Sequence, residues 1–166
     1  MSAITIRPEQ AGDVEAIREL TEAAFRNAPH SDGSEPGIVD ALRRDGDLTL
    51  SLVAETAERL VGHVALSPVT ISDGSHDWYG LGPISVLPER QGEGIGFRLM
   101  KRAIADIRAM GARGIVLLGD PAYYVRFGFE HDSELRYPGL PAEYFQRLVL
   151  EGDAPSGTVS YAPAFG

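Results

Sequence analysis

Tyr124 and three glycines spaced at alternate positions, Gly92, Gly94 and Gly96, are the residues of this chain whose type and spacing point most directly to chemistry. The glycines lie in the stretch PERQGEGIGFRLM, residues 88–100, a turn that runs from a strand-like segment into an amphipathic helix. Glycine tolerates the backbone angles that let successive N–H groups point outward together, and such a turn cradles anions. The first amides of the following helix have no intrahelical acceptors and sit at the positive end of its dipole. A phosphate or pyrophosphate is the natural occupant, which implies a phosphorylated cofactor. A nucleotide P-loop requires Gly-Lys followed by Ser or Thr, whereas Gly96 is followed by Phe97 and Arg98. A dinucleotide fingerprint requires a third glycine where this chain has Phe97, or Leu99 in the alternative frame. Both are excluded, which leaves a diphosphate cradle of another kind or a bare glycine turn.

The run Gln91-Gly92-Glu93-Gly94-Ile95-Gly96 resembles the Gln/Arg-x-x-Gly-x-Gly/Ala pyrophosphate loop of the GNAT family of acetyl-CoA-dependent N-acetyltransferases. A second motif follows in the expected order: Tyr124 stands four residues before Gly128-Phe129, as in the family's Tyr-x-x-x-Gly-Phe pattern. The two C-terminal strand candidates, 144–150 and 157–161, look like a terminal pair of the YhbS-like branch of the family. The resemblance implies an α/β (α+β) fold, with a mixed central sheet of about six to seven strands that splays between strands 4 and 5 and is flanked by helices. It further implies acetyl-CoA as co-substrate, held by residues 91–96 and by Ile84, Ser85 and Val86 of the preceding strand, with Tyr124 as general acid. It also places the acceptor near the segment between the first two strands, where only the resemblance gives Asn27 or His30 a role. Without the motif, Tyr124 reads as a packed phenol.

The implied reaction is attack of an amine on a thioester, and each step makes a demand. With an ordinary ammonium pKa of about 10.4, only about one amine in a few thousand is neutral at pH 7, so a base is needed. Glu22, His63, Asp77 and His131 are candidates that spacing does not separate. The developing oxyanion needs a fixed donor, which a bulged strand supplies through the backbone N–H of Val86. Tyr124 can protonate the leaving thiolate at a cost of about 2 kcal/mol, given ordinary pKa values of about 10 and 8.5. Tyr123 faces elsewhere on a helix and is assigned to packing. Glu93 is an odd residue in an anion cradle, and Arg90 is placed to offset it. A non-catalytic acyl-CoA sensor would need the loop and not the acid, and a donor longer than acetyl is equally compatible.

The elements that must position these groups follow from the hydrophobic pattern. Residues 3–7 alternate as a first strand. Asp13 reads as an N-cap, followed by a helical stripe of Val14, Ile17, Leu20, Ala24 and Phe25. A polar loop leads to a second helix with Ser34 as cap, Pro36 in its first turn and Gly46 as its stop. Residues 48–55 and 59–71 read as a hairpin, and 78–87 as a strand bulged at Gly80, Gly82 and Pro83. The helix over 94–110 turns Phe97, Leu99, Met100, Ala103, Ile104 and Ile107 inward, and 115–118 is a strand buried on both faces. Asp120-Pro121 opens a short helix that carries Tyr124.

At 166 residues with 43% hydrophobic content, one domain over 1–166 is expected. A net charge of −9 argues against nucleic acid as partner and is compatible with a small-molecule or peptide amine as acceptor. The first ten residues lack a basic segment followed by an apolar one, and no run approaches the roughly 18 apolar residues needed to span a bilayer. No membrane partner and a cytoplasmic location are expected, with a homodimer compatible. The absence of cysteine removes thiolate ligands and a thiol nucleophile, and the histidines at 30, 63, 76 and 131 lack ligand spacing, so no metal is expected.

Overall fold

A computed structural model describes residues 3–26 and 33–166; Asn27 and His30 lie outside the described residues. Six strands form the main sheet in the order β1-β2-β3-β5-β6-β8: β1 (Thr5–Pro8), β2 (Leu50–Glu55), β3 (Leu60–Pro68), β5 (Trp78–Val86), β6 (Gly114–Leu118) and β8 (Phe145–Val149). A small second sheet has the order β4-β9-β7, from β4 (Thr70–Ile71), β9 (Gly157–Ser160) and β7 (Leu135–Arg136). Helices α1 (Val14–Phe25) and α2 (Glu35–Asp45) lie between β1 and β2, α3 (Ile95–Ala109) joins β5 to β6, and α4 (Pro121–Tyr124) follows β6.

The alternation of the strands decides which helix covers which face. Leu52, Ala54, Val64 and Leu66 form a core with Leu99, Met100, Ala103 and Ile107, so α3 packs on that face. The approach is close: a Cβ at Gly62 would come within 2.9 Å of Leu99, so glycine there is a packing requirement. The opposite face presents Val53, which packs with Ile17 of α1 and Val39 of α2. Both helices begin and end as their stripes predict, and Gly46 stops α2 in the left-handed region at φ 78°.

Four local expectations are corrected. Asp13 precedes α1 but makes no side-chain bond to that helix; its carboxylate takes the Gln10 N–H at 2.7 Å and two bonds from Arg7 at 2.7 and 3.1 Å. Residues 59–71 are not one strand: β3 ends at Pro68, and β4 leaves for the small sheet, where it pairs with β9. The C-terminal strands do not pair with each other. β8 runs antiparallel to β6 along its full length, because the edge of β6 that faces away from β5 would otherwise be unpaired, while β9 is taken up between β4 and β7. Phe97 is not core but 43% exposed, packed against Phe127 with ring centroids 5.4 Å apart.

The bulge and the splay are present. Val64 pairs with Ile84 but Leu66 with Leu81, so β5 carries one extra residue around Gly82-Pro83. The parallel pairing of β5 with β6 is confined to Trp78–Gly80 against Gly114, Ile115 and Val116. Beyond Gly80 the two strands separate. The expected splay between strands 4 and 5 is therefore the β5/β6 gap, the short β4 having shifted the count.

Candidate active site

Backbone direction is the first element of the site. Leu87 N–H donates to Val61 O at 3.0 Å, and in an antiparallel ladder alternate residues share that orientation. Ser85 therefore turns its backbone toward β3, while Ile84 and Val86 direct theirs into the β5/β6 gap. An extended ligand arm lying in that gap meets free strand edge.

The loop after β5 makes a short turn at Pro88–Arg90 and then places Gly92 at φ 81° and Gly94 at φ 82°, the latter as the N-cap residue of α3. A side chain at either position would be strained in the left-handed region. The first intrahelical bond is accepted by Gly94 O from Arg98 N–H at 3.1 Å, so the amides of Ile95, Gly96 and Phe97 precede the ladder. They open toward a cleft of about 600 Å³ lined by Ile84, Val86, Arg90, Gln91, Gly92, Gly94, Ile95, Gly96, Phe97, Tyr123, Tyr124 and Arg126. Gln91 bonds back to Val86 O through Nε2 at 3.4 Å, tying loop to strand. Glu93 turns away from the cleft and takes both carboxylate oxygens to Arg90 Nε at 3.0 Å. That pair neutralises the charge that made Glu93 odd.

Tyr124 reaches the cleft from the opposite wall. Asp120 Oδ1 accepts from Ala122 N–H at 2.9 Å to start α4, and Gly128 at φ 95° ends the turn that follows it. The Tyr124 ring packs edge-on against Phe129 and Tyr123, with centroids 6.2 and 4.9 Å away. Burial, reinforced by Tyr123 and Asp120, pushes its hydroxyl up to about 12. It is fully protonated at neutral pH, yet complete transfer to a thiolate of pKa about 8.5 costs roughly 5 kcal/mol rather than 2. Its easier task is hydrogen-bond donation to the leaving sulfur.

Of the residues expected to contact the cofactor, Ile84, Val86, Gln91, Gly92, Gly94, Ile95, Gly96 and Tyr124 share the cleft. Ile95 takes part through its backbone only, since its side chain is 1% exposed within the core. Ser85 and Glu93 stand apart, Ser85 with a buried side chain on the face away from α3. The candidate bases are scattered. Glu22 is exposed on α1, Asp77 sits in a turn beside His76 at 3.1 Å, and His131 lines a separate cleft of about 420 Å³ with Leu135, Tyr137 and Phe145. His63 is completely buried, and that burial depresses its pKa to about 4.

Phe97, Tyr123 and Arg126 line the cleft without having been anticipated there. The Arg126 guanidinium lies 4.4 Å over the Tyr123 ring, and its Nε donates to Tyr123 O at 2.8 Å. The signal was the i, i+3, i+4 spacing of Tyr123, Arg126 and Phe127, which puts them on one side of the turn. Among the described residues no three His, Asp or Glu side chains gather as metal ligands, and no helix is long and apolar enough to cross a membrane.

Comparisons with known proteins agree with this geometry. Residues 5–131 match the family model described as the acetyltransferase (GNAT) domain. The uncharacterized N-acetyltransferase YhbS of Escherichia coli K12 is 38% identical over 141 residues, covering 82% of this chain and 83% of YhbS. A crystal structure of a GNAT family acetyltransferase from Brucella melitensis in complex with acetyl-CoA superposes with a TM-score of 0.89 at 49% identity, covering 100% of both chains. The crystal structure of E. coli YhbS in complex with CoA gives 0.87 at 33% identity, covering 99% of this chain and 93% of that one.

Proposed function

The chain belongs to the GNAT family of acetyltransferases, with acetyl-CoA as co-substrate, and on that premise we propose that it acetylates a primary amine by direct attack through a tetrahedral intermediate. The loop amides of residues 91–96 and the first turn of α3 hold the diphosphate. Ile84 and Val86 offer backbone groups to the pantetheine arm, and the Val86 N–H receives the developing oxyanion. Tyr124 donates its hydroxyl to the departing sulfur. The observation that carries this reading is the convergence of three features on one cleft: the unsatisfied helix N-terminus, the free edge of β5 and the protonated phenol.

Titration calorimetry with CoA, followed by thiol release from acetyl-CoA over a panel of small and peptide amines, tests it. Binding with turnover is expected, and Tyr124→Phe should lower kcat by about 10²-fold while CoA affinity stays within about threefold. Full turnover by Tyr124→Phe would remove the acid role. Binding without turnover across the panel would favour a non-catalytic acyl-CoA sensor, and no binding by folded protein would remove both readings.

A further inference from the structure

The cleft contains arginine and tyrosine but no carboxylate or imidazole. The base that an ammonium acceptor requires must come from elsewhere. On the face covered by α1 and α2, a polar row crosses the sheet with one residue per successive strand: Glu9 just beyond β1, Ser51 on β2, His63 on β3 and Ser85 on β5. Ser51, His63 and Ser85 are 8%, 0% and 2% exposed. A buried polar row of this kind is costly unless its members are satisfied or used.

The donors in the row can be assigned in sequence. Arg43 forks onto Glu9 at 3.1 and 3.0 Å, holding a carboxylate there. Ser51 Oγ donates to Glu9 Oε1, which spends its single hydroxyl proton on an acceptor that has none to give. The 2.8 Å contact between Ser51 Oγ and His63 Nε2 therefore has the imidazole as donor. The proton sits on Nε2, and Nδ1 carries a lone pair. That Nδ1 is buried without a partner, as is the Oγ of Ser85, the register partner of His63 across the β3/β5 ladder. Residues so paired hold their Cβ atoms about 5 Å apart on one face. The orphaned hydroxyl and the orphaned lone pair thus belong to register-paired residues but do not bond each other, so the link between them closes only when Ser85 turns its hydroxyl onto Nδ1. Ser85 lies between Ile84 and Val86, the two residues that border the cofactor cleft.

We propose that this row is the proton path that deprotonates the acceptor amine, an assignment that rests on the cleft acetylating amines. The Ser85 hydroxyl turns onto His63 Nδ1, and as the ammonium N–H bond breaks Oγ takes that proton and gives its own to Nδ1. Nε2 releases its proton to Ser51 Oγ, and the Ser51 proton passes to Glu9, whose side chain is 18% exposed and returns it to water. The amine is left with a lone pair, and the imidazole ends as the other neutral tautomer. Among the described residues, the charged groups that act on His63 are Glu9 beyond β1 and Arg43 on α2; Arg43 also pairs with Asp40, and Asp40 with Arg18 of α1.

The test compares wild type with Ser51→Ala and Ser85→Ala, both small changes at interior sites, using primary amines of graded basicity. Each variant should lose at least tenfold in kcat/KM at pH 7 for a strongly basic amine and less than twofold for one that is already neutral. The acid limb of the pH profile should move toward the amine's own pKa, with CoA affinity unchanged; the melting temperature should hold in Ser85→Ala and fall in Ser51→Ala, which strips the buried His63 Nε2–H of its acceptor. Equal losses for all amines, or no loss, overturn the path while leaving the acetyltransferase reading intact. Nitrogen-15 NMR of wild-type His63 at pH 7 provides an arm independent of activity: Nε2–H with a bare Nδ1 is expected, and protonated Nδ1 overturns the proposal.

Discussion

His63 makes the stability of this protein depend on pH in a way that can be separated from its carboxylates. Burial holds the folded imidazole near a pKa of about 4, against about 6.5 when unfolded. Between those values the unfolded chain binds the extra proton. Stability is therefore fully present above pH 6.5 and is lost as pH falls toward 4, by up to about 3 kcal/mol. The carboxylates held below their usual range, Asp13 by Arg7 and Asp132 chiefly by the Glu134 N–H, lose their contribution only at lower pH. Urea unfolding at pH 7.5 and pH 5 should show a fall for wild type that His63→Gln lacks, whatever the variant's starting stability. An equal fall in both would mean that another group titrates. The sequence put His63 among four undistinguished bases, because its neighbours Glu9, Ser51 and Arg43 come from three separated segments. Tyr124 was legible because its motif is contiguous.

At the scale of elements, the turn into α3 carries the cofactor argument, and its glycines differ in what they supply. Gly94 sits at φ 82°, and a Cβ added there would meet no atom within 4 Å, so Gly94→Ala meets backbone strain alone, about 1 kcal/mol. Gly96 has ordinary helical geometry, and a Cβ there would lie 3.7 Å from the Tyr123 hydroxyl and 3.8 Å from Val86. That is ordinary contact, and the loop pattern itself admits Ala at this position, whereas a Leu side chain would reach into the cleft. Gly96→Leu should weaken CoA binding at least tenfold by calorimetry, Gly96→Ala should leave binding and melting temperature nearly unchanged, and Gly94→Ala should lower both. If Gly96→Leu bound CoA normally, the diphosphate would not approach the first turn. The bounds of α1, α2 and α3 were readable because each buries one stripe against the sheet. Strand partners were not: period-two alternation identifies a strand and its faces but not the edge it will occupy, which is why the pairing of β8 with β6 and of β9 with β4 and β7 differed from expectation.

Across the whole molecule, the C-terminal segment divides the labour between the two sides of the sheet. Every residue lining the cofactor cleft lies at or before Arg126. The family match ends at 131, yet β8 comes later and covers the edge of β6 that faces away from the splay. A chain ended at 131 would leave Val116 and Leu117 against water and should not fold. A chain ended at 151 keeps β8 and loses β9, together with the short turn at Pro163–Phe165 that packs on α2. Losing Val159 and Tyr161 uncovers Trp78, Val69 and Ile71, at about 2 kcal/mol for each large side chain removed. A fall of roughly 10 °C in melting temperature is expected. Because α2 supplies Arg43 to the proposed proton path, where it holds Glu9, while the loop amides belong to α3, the shortened chain should bind CoA with near wild-type affinity and show a lowered kcat/KM for strongly basic amines. Parallel loss of both would mean that the two faces are coupled through the sheet, and that the C-terminal strand supports the cofactor cleft as well.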